Sequence, residues 1–576
     1  MPKNPRELPR RISDDHVDAL VALDPITGTM LGVPEANGRL PDFSSDGARA
    51  LADLARTTLR RLSASEAAAT ATDTDADTAA TDPAREAAVE RRCARLLRER
   101  LEAELAQYEA GEHLRAVENS TSPLHRVRKV FALTPTRTAE DWAALARRLR
   151  AVPQCLAGYR AALTEGLGQG LAAAPRQVRA NAAQLQEWLA AEPGAFDRLA
   201  AAAPESVRRE LEAAASVATG AFAELRAWLV REYAGRVGEV PDAFGAERYA
   251  RFARFHTGAD VDLEEAYAYG WSEFHRLLPE MRDEAARILP GAQDPWQVLA
   301  WLGEHGRSIE GAEETRRWLQ ALMDEAADAL DGTYFDIAAP VRRVESCIAP
   351  PGGGAAPYYT QPSLDFSRPG RTWLPTQGRT RFPLHNLVST WYHEGLPGHH
   401  LQLGHWTHLA GGLSRYQTKV ARVSATTEGW ALYAERLMDE LGFLSDPQAR
   451  LGHLDAQMLR ALRVVVDIGV HLRLAVPGHS PFHAGERWTP ALAREFLGRH
   501  SSRPAAYLDS EVVRYLGRPG QAITYKLGER AWLEGREAAR AQQGPAFDLK
   551  RWHMEALSLG SLGLHDLRAE LAAPGR

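Results

Sequence analysis

Between Thr390 and Gln402 the chain reads Thr-Trp-Tyr-His-Glu-Gly-Leu-Pro-Gly-His-His-Leu-Gln. Imidazoles and a carboxylate this close together can hold a metal ion. The usual helical zinc motif places two histidines four residues apart with a glutamate after the first, so that both rings share one face. Here Pro397 stands four residues after His393, and the next histidines are His399 and His400. Four residues of α-helix advance about 6 Å and rotate about 400°, whereas six advance about 9 Å and turn about 240° beyond one turn. A straight helix therefore aims His399 away from His393, and both nitrogens cannot come within about 2.0–2.1 Å of one zinc. Pro397-Gly398 lifts the restriction, because proline breaks the ladder and glycine allows backbone angles closed to other residues. The stretch reads as a zinc motif with a two-residue bulge that returns His399 to the face of His393. His400 competes for that place: it lies nearer the same face of an ideal helix, but about 10 Å along. The alternative is a broken helix whose histidines only cap or pack.

A second stretch, Thr-Glu-Gly-Trp-Ala-Leu-Tyr-Ala-Glu over 427–435, completes the donor set. Catalytic zinc commonly takes two histidines and a glutamate and leaves the fourth position to water. Glu428 is the natural third ligand, and Glu394 is then the general base. Glu435, two turns beyond Glu428 on one face, either orients a ligand histidine or is an ordinary solvated carboxylate.

The paired spellings His-Glu-x-x-Pro-Gly-His-His-x-Gln and Glu-Gly-Trp-Ala-x-Tyr-Ala-Glu resemble the bacterial family of unknown function number 885. That family is similar to the helical zinc peptidases: thimet oligopeptidase, angiotensin-converting enzyme and carboxypeptidase Taq. Dipeptidyl-peptidase III is the useful comparison, with one inserted residue where this chain has two. The resemblance runs from about Asp15 to about Leu567. It implies a mainly α fold, a two-lobed helical ellipsoid with a central cleft and a small antiparallel β-sheet at the active site. It also implies one zinc ion per chain and a short peptide or amide substrate. The spelling Asp-x-Gly-x-His matches it at Asp467 and His471, which share a helix face and can hydrogen-bond. His471 is then the candidate to steady the transition state, or else a satisfied structural histidine. The pattern Pro-Gly-Gln-Ala-x-x-Tyr matches at 519–525 and offers Tyr525 as an oxyanion donor, or else a core tyrosine. Neighbouring Arg518 suits a substrate carboxylate through a bidentate pair.

The elements that must position these residues are mostly helices. With 45% hydrophobic residues in 576, the chain can bury a large core. Net charge is −6, which argues against nucleic acid as the main partner. Cys93, Cys155 and Cys347 stand far apart and fit a reducing compartment. No apolar segment of signal-peptide type follows the basic N-terminus, and no run suits a membrane span. The reading is a cytoplasmic protein with no membrane partner. Residues 1–14 are expected to be flexible, and 15–576 to form one helical domain. Within it, 63–84 reads as a low-complexity surface loop, 341–375 as a small β region, and 385–530 carries the motifs. Separate helices are expected over Asp141–Arg150 and Leu156–Leu167, and a long one over Ala449–Val476.

Val341–Ile348 alternates like a strand, and Tyr358-Tyr359 and Arg371–Leu374 suggest two more, the only strands expected in the chain. In the resembling peptidases such a sheet lines the cleft and accepts an extended substrate, which would make Tyr358, Tyr359 and His400 substrate contacts. An exposed edge offers unpaired N–H and C=O groups at peptide spacing; a purely stabilising hairpin is the alternative. The function expected is zinc-dependent hydrolysis of peptide bonds in short peptides. Hydrolysis of a non-peptide amide and a catalytically silent binding protein are the other readings.

Overall fold

Alanine, leucine, arginine and glutamate dominate the helical segments, and these are the residues that pay least to become helical. The computed structural model describes residues 7–71, 83–350 and 356–573, and it is mainly helical with small sheets. Where the sequence suggests one helical domain, the residues sort into two compact units. The first comprises Met1–Asp77, Leu97–Phe244 and Ser510–Arg518; the second comprises Thr78–Leu96, Gly245–Asp509 and Pro519–Arg576.

The first unit is built on α1 (Pro9–Leu23), α2 (Ser45–Ala71), α3 (Ala139–Gly168), α4 (Pro175–Ala190) and α5 (Glu205–Trp228). Thr138 and Asp141 open α3 with a reciprocal capping box, Asp141 N to Thr138 Oγ1 at 3.1 Å and Thr138 N to Asp141 Oδ2 at 2.9 Å. Leu145, Leu149, Leu163, Leu185 and Leu211 are fully buried in its apolar core. Three expectations need correction. Helix α1 starts at Pro9, so 9–14 is ordered helix. Helix α2 runs on to Ala71 through alanine-rich sequence, and the next helix starts at Pro83, leaving 72–82 of the expected loop outside the described residues. The two helices expected around Pro153 are one, α3, with the proline inside it. Buried Leu149, Val152 and Leu156 flank Pro153, and their packing offsets the roughly 3 kcal/mol that an internal proline costs.

The second unit contains α6 (Leu263–Ile288), β1 (Ser308–Glu310), α7 (Ala312–Leu330), β2 (Val344–Ile348), β3 (Tyr358–Thr360), β4 (Gly370–Leu374) and β5 (Arg381–Pro383). It continues with α8 (Val388–Glu394), α9 (His399–His408), α10 (Ser424–Glu440), α11 (Pro447–Leu472) and α12 (Thr524–Gln543). Helix α11 packs along α6, and Gly270 gives it room: a Cβ there would sit 3.0 Å from Val464 Cγ1. Helices α10 and α12 cross backbone to backbone at Gly429 and Gly528, where a Cβ on Gly429 would stand 2.4 Å from Gly528 Cα.

The β region departs from the expected antiparallel sheet. Strand order is β2-β4-β3, with β2 parallel to β4 from Val344↔Gly370 and β3 antiparallel to β4. A separate antiparallel pair joins β1 to β5, so the strands are not confined to 341–375. A parallel pair needs a long crossover, and the segment between β2 and β4 supplies it. Helix α7 closes the outer edge of β2: Gln320 Nε2 donates to Val344 O at 3.0 Å, and Ser346 N donates to Gln320 Oε1 at 2.8 Å.

Candidate metal centre

Helix α8 stops at Glu394 and α9 starts at His399, so the expected bulge is a full break. Glycine is required at both ends of it. A Cβ on Gly398 would lie 2.0 Å from His393 O, and one on Gly395 would lie 2.3 Å from Met323 Sδ. Across the break, Gly398 N donates to Tyr392 O at 3.0 Å and His400 N to Gly395 O at 3.1 Å. Trp430 of α10 holds it from outside, its indole N–H reaching Pro397 O at 2.9 Å and Gly398 O at 3.1 Å.

The break brings His399 beside His393, with ring centroids 4.8 Å apart. Glu428 Oε2 lies 3.5 Å from His393 Nε2 and 3.6 Å from His399 Nε2. One donor atom from each of the three residues lies within 4.8 Å of the others. Tetrahedral ligands about 2.0–2.1 Å from zinc stand about 3.4 Å apart, so the trio fits such an ion with slight closure. Burial opposes charge on His393, but hydrogen bonds to Glu428 and Glu435 raise its pKa to about 9. Burial works the other way on Glu428, and the two histidines outweigh it to hold that carboxyl well below the usual range. His393 and Glu428 thus keep charge in a buried place by pairing with each other.

Glu435 is completely buried, and its Oε1 accepts from His393 Nδ1 at 2.7 Å. The carboxylate can only accept, so a proton sits on Nδ1 and Nε2 is the ring nitrogen that faces Glu428 and His399, the atom that would ligate a metal once its own proton leaves. Ser389 donates to Glu435 Oε2 at 2.5 Å and lies 3.0 Å from His453 Nδ1, and Arg460 Nη2 stands 3.5 Å from Oε1. His399 is held differently: its Nδ1 is buried without a hydrogen-bond partner among the described residues. Glu394 makes no hydrogen bond among the described residues, is 9% exposed, and burial raises its pKa.

His400 is turned away from the trio. Its Nε2 lies 2.6 Å from Val341 O and its Nδ1 3.0 Å from the Tyr359 hydroxyl, and burial lowers its pKa to about 4. It ties α9 to the sheet with both nitrogens engaged, so it is not the substrate contact that the sequence suggests. Tyr359 spends its hydroxyl on that bond, while Tyr358 stacks on Trp373 and is 37% exposed.

Asp467 and His471 approach to 3.7 Å, longer than a hydrogen bond. Asp467 Oδ2 instead accepts from Tyr249 OH at 2.7 Å and from Gly520 N at 2.8 Å, so it anchors the Pro-Gly-Gln turn. His471 lies against the Tyr249 ring at 5.3 Å. Tyr525 belongs to the same unit as the trio. It stands one turn before Gly528, where α12 crosses α10 beside Glu428, with Arg463 4.8 Å above its ring. Arg518 closes a segment of the first unit.

The model of a bacterial protein family of unknown function, DUF885, matches residues 25–571. The chain belongs to this family. No curated protein matches it. Two solved structures share the family member's fold. One, titled "putative lipoprotein" from Colwellia psychrerythraea, superposes with a TM-score of 0.82 at 20% identity, covering 98% of each chain. The other, titled "putative lipoprotein of unknown function" from Shewanella oneidensis, gives 0.69 at 16% identity, covering 97% of this chain and 98% of that one. Among the described residues of this family member, no helix is long and apolar enough to cross a membrane.

Sequence reasoning gave no role to Ser389, Trp430, His453 or Arg460, which complete the site. Signals for them exist. Ser389 precedes His393 by four residues, and His453 and Arg460 are seven apart, one face of a helix in each case.

Proposed function

We propose that this chain is a zinc-dependent hydrolase that cleaves amide bonds in short peptides. The observation that carries the reading is the trio His393, His399 and Glu428, converging on one point beside an unbonded buried carboxylate, Glu394. When bound, zinc supplies Lewis-acid polarisation of a carbonyl and an acidified water. His393, His399 and Glu428 hold that ion, and Glu435 keeps His393 in the ligating tautomer. Glu394 takes a proton from the attacking water as the O–C bond forms, and gives it to the amine as the C–N bond breaks. Its raised pKa suits both halves of that task. Tyr525 donates to the oxyanion, with Arg463 fixing its ring. His471 steadies the transition state. The chain acts in the cytoplasm, a placement supported by three free thiols.

The test is metal analysis after purification without chelator, with a peptide-library digest read by mass spectrometry. About one zinc per chain and defined cleavage products are expected. Glu394→Gln should keep the zinc and lose about 10²–10⁴-fold in turnover. Absence of zinc, or equal activity in the variant, overturns the reading.

A further inference from the structure

Among the described residues, Arg368, Lys419 and Arg422 make no ion pair with any carboxylate, in a protein with 75 acidic and 69 basic residues. Most described arginines around them have acidic partners; Arg371, for example, takes Glu345 at 3.0 Å. Asp365, the acid nearest Arg368 in sequence, is bonded to Ser363 at 2.6 Å and Ser367 at 2.8 Å. The three cations come from separate places in the second unit. Arg368 precedes β4, Lys419 lies in the turn Tyr416–Val420, and Arg422 precedes α10. They nevertheless share one neighbourhood. Lys419 feels the charges of Arg422 and Arg368, and both arginines act on the Tyr359 phenol of β3.

Their hydrogen bonds are to neutral groups. Lys419 Nζ donates to Thr407 Oγ1 at 2.9 Å and Arg422 Nη2 donates to Gln361 Oε1. Gln361 Nε2, a further donor, is buried without a partner. Both arginines are solvent-exposed at the surface, and Lys419 is half-buried. Burial first, then the charges of Arg422 and Arg368, lower Lys419 to about 8. Three like charges gathered without an internal counter-ion mark a place that draws its counter-ion from outside.

We propose that Arg368, Lys419 and Arg422 form a subsite for a carboxylate of the ligand, beside strand β3. As a determinant of substrate choice, the subsite rests on the hydrolase reading; as a binding site, it does not. Arg422 precedes Glu428 by six residues, four of them spanned by helix, so their Cα atoms lie at most about 13 Å apart. The Tyr359 hydroxyl, 3.0 Å from His400 Nδ1, links the same neighbourhood to the residue after His399. An extended peptide covers about 3.3–3.6 Å per residue, so the carboxylate falls within about four residues of the bond cleaved. Guanidinium groups pair with carboxylates in bidentate fashion, which explains two arginines in the cluster.

The test measures binding apart from turnover. Titration calorimetry on the full-length protein carrying Glu394→Gln compares an acetylated apolar pentapeptide as its free acid, as its C-terminal amide, and as the amide with one internal glutamate. The free acid should bind on the order of tenfold tighter than the plain amide. If the subsite takes any carboxylate, the glutamate peptide regains that preference; if only a terminal one, it binds like the plain amide. Either pattern supports the subsite. Combined Arg368→Met and Arg422→Met should reduce the discrimination to less than about twofold, and Arg422→Lys should keep part of it. Equal binding of acid and amide, binding of neither, or discrimination surviving the double variant overturns the proposal. Hydrolysis is scored separately with wild-type protein. Turnover without carboxylate preference leaves the hydrolase and removes the subsite, whereas preference without turnover does the reverse.

Discussion

Arg148 in the first unit and Glu435 in the second are both completely buried charges, and their hydrogen bonds end in different places. Arg148 donates to Thr134 Oγ1, Thr29 Oγ1 and Ala36 O, each at 2.6 Å, and to Arg39 O at 3.1 Å. Every bond ends on a neutral group of the scaffold, and the guanidinium pins three chain segments to α3. Glu435 gathers His393, Ser389, His453 and Arg460, and one of these, His393, turns its other nitrogen toward a second carboxylate and a second imidazole. An unpaired buried charge costs several kcal/mol, so both groups must be satisfied. Satisfaction alone therefore does not mark a site. What distinguishes Glu435 is that its bonds lead on to donor atoms converging on one point.

Four experiments break or sharpen that contrast. The largest effect is expected from Tyr525→Phe, which keeps the ring against Arg463 and removes one donor. kcat should fall about 10²–10³-fold while KM changes little. A variant with normal kcat and a lowered melting temperature would make Tyr525 a packing residue. Next comes Arg148→Met, which should cost about 2–4 kcal/mol of stability by denaturant titration and leave zinc content unchanged. Loss of zinc in this variant would mean the two kinds of buried charge are not separable. Glu435→Gln should do the opposite, weakening metal affinity about 10–100-fold in a competition assay with a chromophoric chelator. Unchanged affinity would reduce Glu435 to scaffold.

The smallest effect concerns acid. His16 Nδ1 lies 2.9 Å from Thr58 Oγ1, whose own proton goes to Leu54 O, and burial lowers the His16 pKa to about 4. The unfolded imidazole binds a proton near pH 6.5 and the folded one only near 4, so the unfolded state takes up protons first. Stability is nearly complete by about pH 7.5 and is lost as pH falls toward 4, by about 1.4 kcal/mol at pH 5.5. The melting temperature of wild type should drop more than that of His16→Gln between pH 7.5 and 5.5. Equal drops would exclude His16 as the source.

The local spellings carried much of this molecule. Helix propensity announced a mainly helical chain, and the order of His393, Glu394, Pro397, Gly398, His399 and Glu428 announced a donor set, because chemistry and spacing are properties of the chain. Other features needed the folded chain. His399 and His400 have the same side chain one residue apart, and only the break at 395–398, braced by Trp430, aims one at Glu428 and the other at Val341 O. The parallel pairing of β2 with β4 depends on α7 and its Gln320 covering an edge from a distance in sequence. Glu435 reads as either an orienting residue or a solvated carboxylate until α8, α10 and α11 come together around it. The physical reason is common to all three. Which donors point at one another, and which carboxylate loses its water, are set by contacts between segments far apart in the chain, and no local periodicity encodes them.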